Sequence, residues 1–268
     1  MKFNWRHIPL VVISVYALFP MVLLFMNAFK KKSEISKNPL GLPKHWSFDN
    51  FVKAWEQGNY SVAYMNTLII TCLSVLLVCI VCGLAAYGLT FLKTPGSGLF
   101  LGYLFLSMSL PLGFIPIFFM SIKLGLINTH MGIIIPSVGG AFAFNVFLLR
   151  AFMLGIPKEL LEAATVDGSS TAKTFLSIIL PLTKPAFIVA AIFMTLSSWN
   201  EIFLSNAILQ ADSMKTVSVA YLNFTSKYGT NWGLMAAGGV MTVVPMILLF
   251  LSMTKRFVHG LQEGGVKF

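Results

Sequence analysis

Six long apolar runs separated by short polar connections organise this chain: residues 8–29, 64–92, 99–122, 131–152, 184–208 and 232–254. Each is long enough to cross the hydrocarbon core of a bilayer as an α-helix, which takes about 20 mostly apolar residues. None is built from the much shorter alternating segments of a transmembrane β-barrel. The pattern therefore predicts an all-α polytopic membrane protein with six transmembrane helices in a single transmembrane domain, residues 1–268. The first run follows Lys2, Arg6 and His7 but ends in Lys30, Lys31 and Lys32 instead of a small-residue cleavage site, so it reads as a retained anchor.

The polar connections carry their own signals. In the loop 153–183, Pro157 suits the start of a helix, because it fixes φ and lacks an N–H that would be unpaired there anyway. Lys158 through Val166 are helix-compatible, and Asp167-Gly168 ends them as a turn in which Gly can take φ > 0. Ser169 or Ser170 can cap the next helix, whose Ala172, Phe175, Leu176 and Ile179 fall at spacings of three and four and predict one apolar face. Pro181 and Pro185 break or kink the chain as it enters the fifth run. In the loop after the first run, Ser47 can cap a helix carrying Phe48, Phe51, Val52 and Trp55 on one stripe. The triplet Lys30–Lys32 can snorkel to headgroups, and residues 214–224 can form a second surface helix.

Composition supports the bilayer setting: 57% of residues are hydrophobic, 10% are charged, and the mean hydropathy is +0.82, values foreign to a soluble domain. The net charge of +10 does not point to nucleic acid, because the basic residues are scattered over tails and short loops. They divide almost evenly between the two sides of a six-span topology, so the positive-inside rule leaves the orientation undecided. Cys72, Cys79 and Cys82 all lie in the second run and read as small packing residues, with neither metal nor disulfide implied. The sequence contains no phosphate-binding G-x-x-x-x-G-K-[ST] loop and no catalytic or metal-ligand spacing of His, Asp, Glu or Ser. It thus reads as a non-enzyme that binds no cofactor of its own.

The segment Glu162-Ala163-Ala164, three residues, Gly168, nine residues, then Ile178, Leu180 and Pro181 resembles the signature of the inner-membrane permease subunits of binding-protein-dependent ABC importers. The match covers about twenty residues and sits between the fourth and fifth runs. Trp199-Asn200-Glu201 with Phe203 and Leu204, and the tail from Gly260 to Lys267, are similar to the carbohydrate branch and to the shorter of its two permeases. The tail departs from that branch at Gln262-Glu263 and in ending Lys267-Phe268. The resemblance implies a type I ABC importer permease fold, with both termini cytoplasmic and residues 153–183 as a cytoplasmic coupling loop. Glu162, Ala163, Ala164, Asp167 and Gly168 would then form the ATPase-coupling surface. From the residues alone, Glu162 can equally be a solvated surface charge. The partners implied are a second homologous permease subunit, an ATP-binding cassette ATPase dimer that uses ATP and Mg, an extracytoplasmic sugar-binding protein and the surrounding lipid.

Within the spans, Glu201 is conspicuous because an ionised group near the bilayer centre costs at least about 2.5 to 3.5 kcal/mol. It is expected near the outer end of the fifth helix, facing water or protein. Asn145, Trp199, Asn200 and Glu201 are candidates for the substrate pathway, with Ser197 and Ser198 weaker ones. Trp199 can stack on a sugar face and Asn200 and Glu201 can hydrogen-bond its hydroxyls. Alternatively, these polar groups tie helices together. Pro111, Gly113, Pro116, Pro136, Gly139 and Gly140 mark kinks or close packing. An ion-coupled secondary transporter is the competing function, but Glu201 is the sole carboxylate placed within a span, and such a carrier typically uses several.

Overall fold

The computed structural model describes residues 8–92, 95–110, 113–229 and 231–264, the stretch 253–264 by its backbone alone. In chain order the helices are α1 (Ile8–Ala28), α2 (Lys32–Lys37), α3 (Asp49–Gln57), α4 (Tyr60–Phe91), α5 (Ser97–Ser109), α6 (Phe114–Lys123), α7 (Met131–Leu154) and α8 (Lys158–Val166). They continue as α9 (Thr171–Thr174), a π-helical turn (Phe175–Ile179), α10 (Leu180–Leu182), α11 (Lys184–Trp199), α12 (Phe203–Ile208), α13 (Val217–Tyr228) and α14 (Trp232–Gly264). Four are long and apolar enough to cross a membrane: α1, α4, α7 and Trp232–Ser252 of α14. The count among the described residues rises to six if the pair α5 with α6, and the pair Thr171–Leu182 with α11, are each one bent span.

Two of the six apolar runs are therefore interrupted. The third is two helices, and Leu110, which precedes Pro111, is extended at φ −97 and ψ 119. A residue before proline is pushed out of the helical region by the ring, which accounts for the break. The fifth run stops at Trp199 and resumes at Phe203, leaving Glu201 outside the helices instead of on the fifth span. Before it, the runs Thr171–Leu182 and Lys184–Trp199 meet at 78°. Pro185 opens α11, where its missing N–H costs nothing. The helix of the second apolar run, α4, begins at Tyr60, ahead of the run itself. The sugar-permease-like tail is helical through Gly264, and its last residues, Gly265 to Phe268, lie outside the described residues.

The chain divides into two compact units. One joins the N-terminal segment through Tyr64 with Thr216–Ile247, around a core of Ala28, Phe29, Ala54, Phe224, Leu234, Ala237 and Val240. The predicted stripe of α3 packs here only in part: the Phe29 ring lies 5.0 Å from that of Phe51 and 5.2 Å from that of Phe48, just ahead of the helix, while Phe48, Val52 and Trp55 stay largely exposed. The helix starts at Asp49, whose N–H donates to Ser47 Oγ at 3.1 Å. The amide of Asn50 donates to the carbonyls of Ala28 and Lys30, each at 2.8 Å, satisfying acceptors that α1 leaves open at its end. Lys30 is fully buried and donates from Nζ to the carbonyls of Asn38 and Pro39, so it ties a loop and does not snorkel. The predicted surface helix at 214–224 is α13, and it is no surface strip: Val217, Val219, Ala220 and Phe224 are buried.

The other unit is built on Met65–Lys215. Its larger core joins Val78, Cys82 and Ala86 of α4 to Val146, Leu149 and Met153 of α7 and to Phe187, Ala190 and Met194 of α11. A smaller core gathers Ile70, Ile133, Ile134, Leu204, Ile208 and Leu209. Gly132 permits the closest approach, since a Cβ there would come within 2.4 Å of the Leu126 carbonyl oxygen.

Candidate functional site

Two places in the second unit gather the polar residues singled out by sequence. The first is α8. Pro157 precedes it with φ −58, and its end is closed by a pair of backbone bonds: Gly168 N–H to the Thr165 carbonyl at 3.1 Å and Ser169 N–H to the Ala164 carbonyl at 2.9 Å. Gly168 sits at φ +69, the left-handed geometry this closure demands and one that L side chains resist. Glu162, Ala163 and Asp167 are exposed, whereas Ala164 is only 5% exposed and seats the helix on its own chain. The two alanines thus differ in exposure, and of the pair only Ala163 is available to another surface. Leu160 and Val166 add exposed apolar area to the helix.

After α8, Ser170 is the serine that caps, its Oγ accepting from the Lys173 N–H at 3.3 Å. The predicted single apolar face then divides. Phe175 and Ile179 enter the larger core, while Ala172 and Leu176 line an apolar groove with Ile80, Leu84 and Tyr87; Phe175 and Leu180 border both. The π-helical turn explains the split: its wider coil aligns residues four apart and separates those three apart.

The second place is a cleft of about 370 Å³ between α6, α7, α11 and α12. Ser137, Ser197 and Glu201 supply its polar lining, against Phe114, Ile117, Pro136 and Phe203. Glu201 occupies the break between α11 and α12, and its Oε1 accepts from the Leu204 N–H at 2.8 Å, capping the start of α12. Asn200 is exposed and turns its amide back to the Leu196 carbonyl at 2.9 Å. Trp199 is 5% exposed and packs into the protein, so its ring presents no open face for a sugar. Asn145 is also buried, donating to the Ala141 carbonyl at 2.7 Å. Of the four pathway candidates, only Glu201 lines the cleft. Ser137 escaped the sequence reading because a lone serine after Pro136 carries no pattern.

Asparagines missed by the sequence reading hold the segment after α12. Asn66 of α4 donates to the carbonyls of Ser213 and Lys215 at 2.9 and 3.1 Å and faces His130 Nε2 with its oxygen at 3.0 Å. Because both amide hydrogens are committed, the oxygen must accept, and His130 must carry its proton on Nε2. Burial holds the His130 imidazole below its ordinary range. Asn128, at φ +56, accepts from the N–H groups of Gln210 and Ala211 at 2.7 and 2.8 Å.

Residues 79–260 match the family described as the binding-protein-dependent transport system inner membrane component. The chain belongs to this family. Among relatives of this inner membrane component, the Bacillus subtilis (strain 168) protein named probable ABC transporter permease protein YurM is 33% identical over 98% of this chain and 87% of its own length. The melibiose/raffinose/stachyose import permease protein MelC of the same organism is also 33% identical, over 96% of this chain and 94% of its own length. The diacetylchitobiose uptake system permease protein NgcG of Streptomyces coelicolor is 31% identical over 96% of this chain and 87% of its own length. The fold is shared with a chain of a bacterial ABC transporter involved in the import of the acidic polysaccharide alginate, at a TM-score of 0.84 and 23% identity, covering 96% of this chain and 99% of that one. The sequence-based expectation of a permease fold is borne out.

Proposed function

We propose that this inner membrane component is the translocating subunit of an ATP-driven importer for a carbohydrate: an oligosaccharide, a disaccharide or a related polyol. Cargo would come from an extracytoplasmic binding protein and pass to the cytoplasm by alternating access, with a second permease subunit completing the pathway. An ATPase dimer using ATP and Mg would supply the energy, and this chain would bind no cofactor and catalyse no step itself. The single observation that carries the reading is α8, a short helix presenting Glu162 and Ala163 outward and held at its end by Gly168. The sugar-import names of its relatives support the cargo class.

Mechanistically, a partner can shift a two-state protein only by binding its states differently. An ATPase dimer that opens and closes under α8 meets that requirement, because the helix is short, internally closed and able to move as a body. Glu162 is placed to accept a charge-assisted bond from a basic or N–H donor, and Ala163 allows the close backbone approach. Asp167 and Gly168 fix the angle at which the helix ends. In this proposal α8 and both termini lie on the cytoplasmic side.

The test is reconstitution of the complete importer with Glu162→Arg in this chain. The expected result is loss of ATPase stimulation by the cargo-loaded binding protein, with the second permease still co-purifying. Transport driven by an ion gradient with no ATPase present would sink the reading in favour of a secondary transporter.

A further inference from the structure

The cleft at Glu201 has a lopsided charge. No Lys, Arg or His is among the described residues that line it, and Glu201 forms no ion pair within them. One carboxylate oxygen is committed to the Leu204 N–H, and the other has no hydrogen-bond partner among the described residues. The remaining lining is serine hydroxyl, proline, glycine and apolar side chain, groups that cannot neutralise an acid. The carboxylate is also fixed in place: it stands in a helix break and caps the helix that follows, so its field points into the cleft without the freedom of a long surface side chain.

We infer that Glu201 is a specificity-determining residue that makes the cleft an electrostatic filter, admitting uncharged or cationic saccharides and disfavouring those bearing carboxylate, sulfate or phosphate groups. The inference rests on reading the cleft as part of the cargo pathway. Physically, the free oxygen accepts from a sugar hydroxyl, a donor every neutral saccharide supplies, while an anionic group at the same position meets like charge in a confined site of reduced dielectric. Serine hydroxyls at Ser137 and Ser197 can donate or accept, so they add hydrogen bonds without altering the sign of the field.

Charge at the cleft can be read without knowing the cargo. In the assembled importer in membrane vesicles, with Cys72, Cys79 and Cys82 replaced, Ser197→Cys is reacted with trimethylammonium-ethyl, sulfonato-ethyl and uncharged methyl methanethiosulfonates. The cationic reagent should be favoured over the anionic one by at least about tenfold more than at a free thiol in solution. Adding Glu201→Gln, whose amide oxygen can still cap Leu204, should remove that excess and leave the rate of the uncharged reagent unchanged. A free-thiol ratio in both backgrounds would overturn the filter while leaving the cleft an aqueous pathway. An excess that survives Glu201→Gln would assign the field to another residue and overturn the role of Glu201. Failure of all three reagents to react would remove the cleft from the pathway, and the filter with it.

Discussion

Ser169 donates its backbone N–H to the carbonyl of Ala164 at 2.9 Å, closing the end of α8 around Gly168 at φ +69. A Cβ on Gly168 would meet nothing within 4 Å, so the position is demanding in torsion and not in space. Gly168→Ala should therefore cost about 1 to 2 kcal/mol of local helix-end stability through the left-handed penalty alone. Asn tolerates that conformation better, so Gly168→Asn should lie between alanine and wild type. The readout is binding-protein-stimulated ATPase activity of the reconstituted importer, expected to fall several-fold for alanine and less for asparagine. Equal activity for all three would mean that the closed end is dispensable.

The pairing of His130 with Asn66 carries a pH dependence whose sign is set by burial. Burial holds the folded imidazole below its ordinary value of 6.5, so the unfolded chain binds more protons in acid. Stability from this site is complete above that value, begins to fall as pH drops through it, and is fully lost below the folded pKa. Thermal unfolding in detergent from about pH 8 to about pH 5 should show this loss, and His130→Gln should flatten it. Asn66→Ala should destabilise at every pH, by about 1 to 3 kcal/mol, because it removes the two hydrogen bonds that its amide donates to the carbonyls of Ser213 and Lys215, each worth about 0.5 to 1.5 kcal/mol.

Two glycines of α7 make opposite predictions. At Gly132 a Cβ would stand 2.4 Å from the Leu126 carbonyl oxygen and 2.8 Å from Ile208 Cγ2. The nearer atom is backbone and cannot rotate away, so Gly132→Ala should cost about 1 to 3 kcal/mol. At Gly139 nothing lies within 4 Å, and alanine there should be neutral or stabilise by up to about 1 kcal/mol through helix propensity. Unfolding midpoints of the two variants, measured side by side, check the pair. A stable Gly132→Ala would mean that the α6–α7 connection gives way more easily than its contacts imply.

The helical membrane class and α8 were legible because each rests on local signals: long apolar runs, and proline before and glycine after a short helix. The interruptions were less so. Pro111 marked a kink, yet hydropathy alone ran straight across it, and Asn200-Glu201 looked like a polar patch on a continuous helix. What ends α11 is a competition between side-chain and backbone hydrogen bonds, with Asn200 returning to Leu196 and Glu201 reaching forward to Leu204. The inward turn of Trp199 and Ala164, and the burial of Lys30, depend on which neighbours long-range packing supplies. Sequence spacing carries no information on that.

Asn145 tests how a buried polar residue in a span should be read. It is 1% exposed, its amide nitrogen returns to the Ala141 carbonyl of its own helix, and its oxygen is buried with no hydrogen-bond partner among the described residues. An acceptor held in that way costs about 1 to 3 kcal/mol, whereas an apolar group of similar size would remove the cost and pack beside Val146 and Leu149. Asn145→Leu should thus leave the unfolding midpoint unchanged or raise it, with transport retained, whereas Asn145→Ala should lower it by opening a cavity. The measurement is paired: thermal stability in detergent and cargo uptake in vesicles. If Asn145→Leu keeps its stability but loses uptake, the oxygen is serving cargo or the second permease, and its apparent isolation is the mark of a partner's donor.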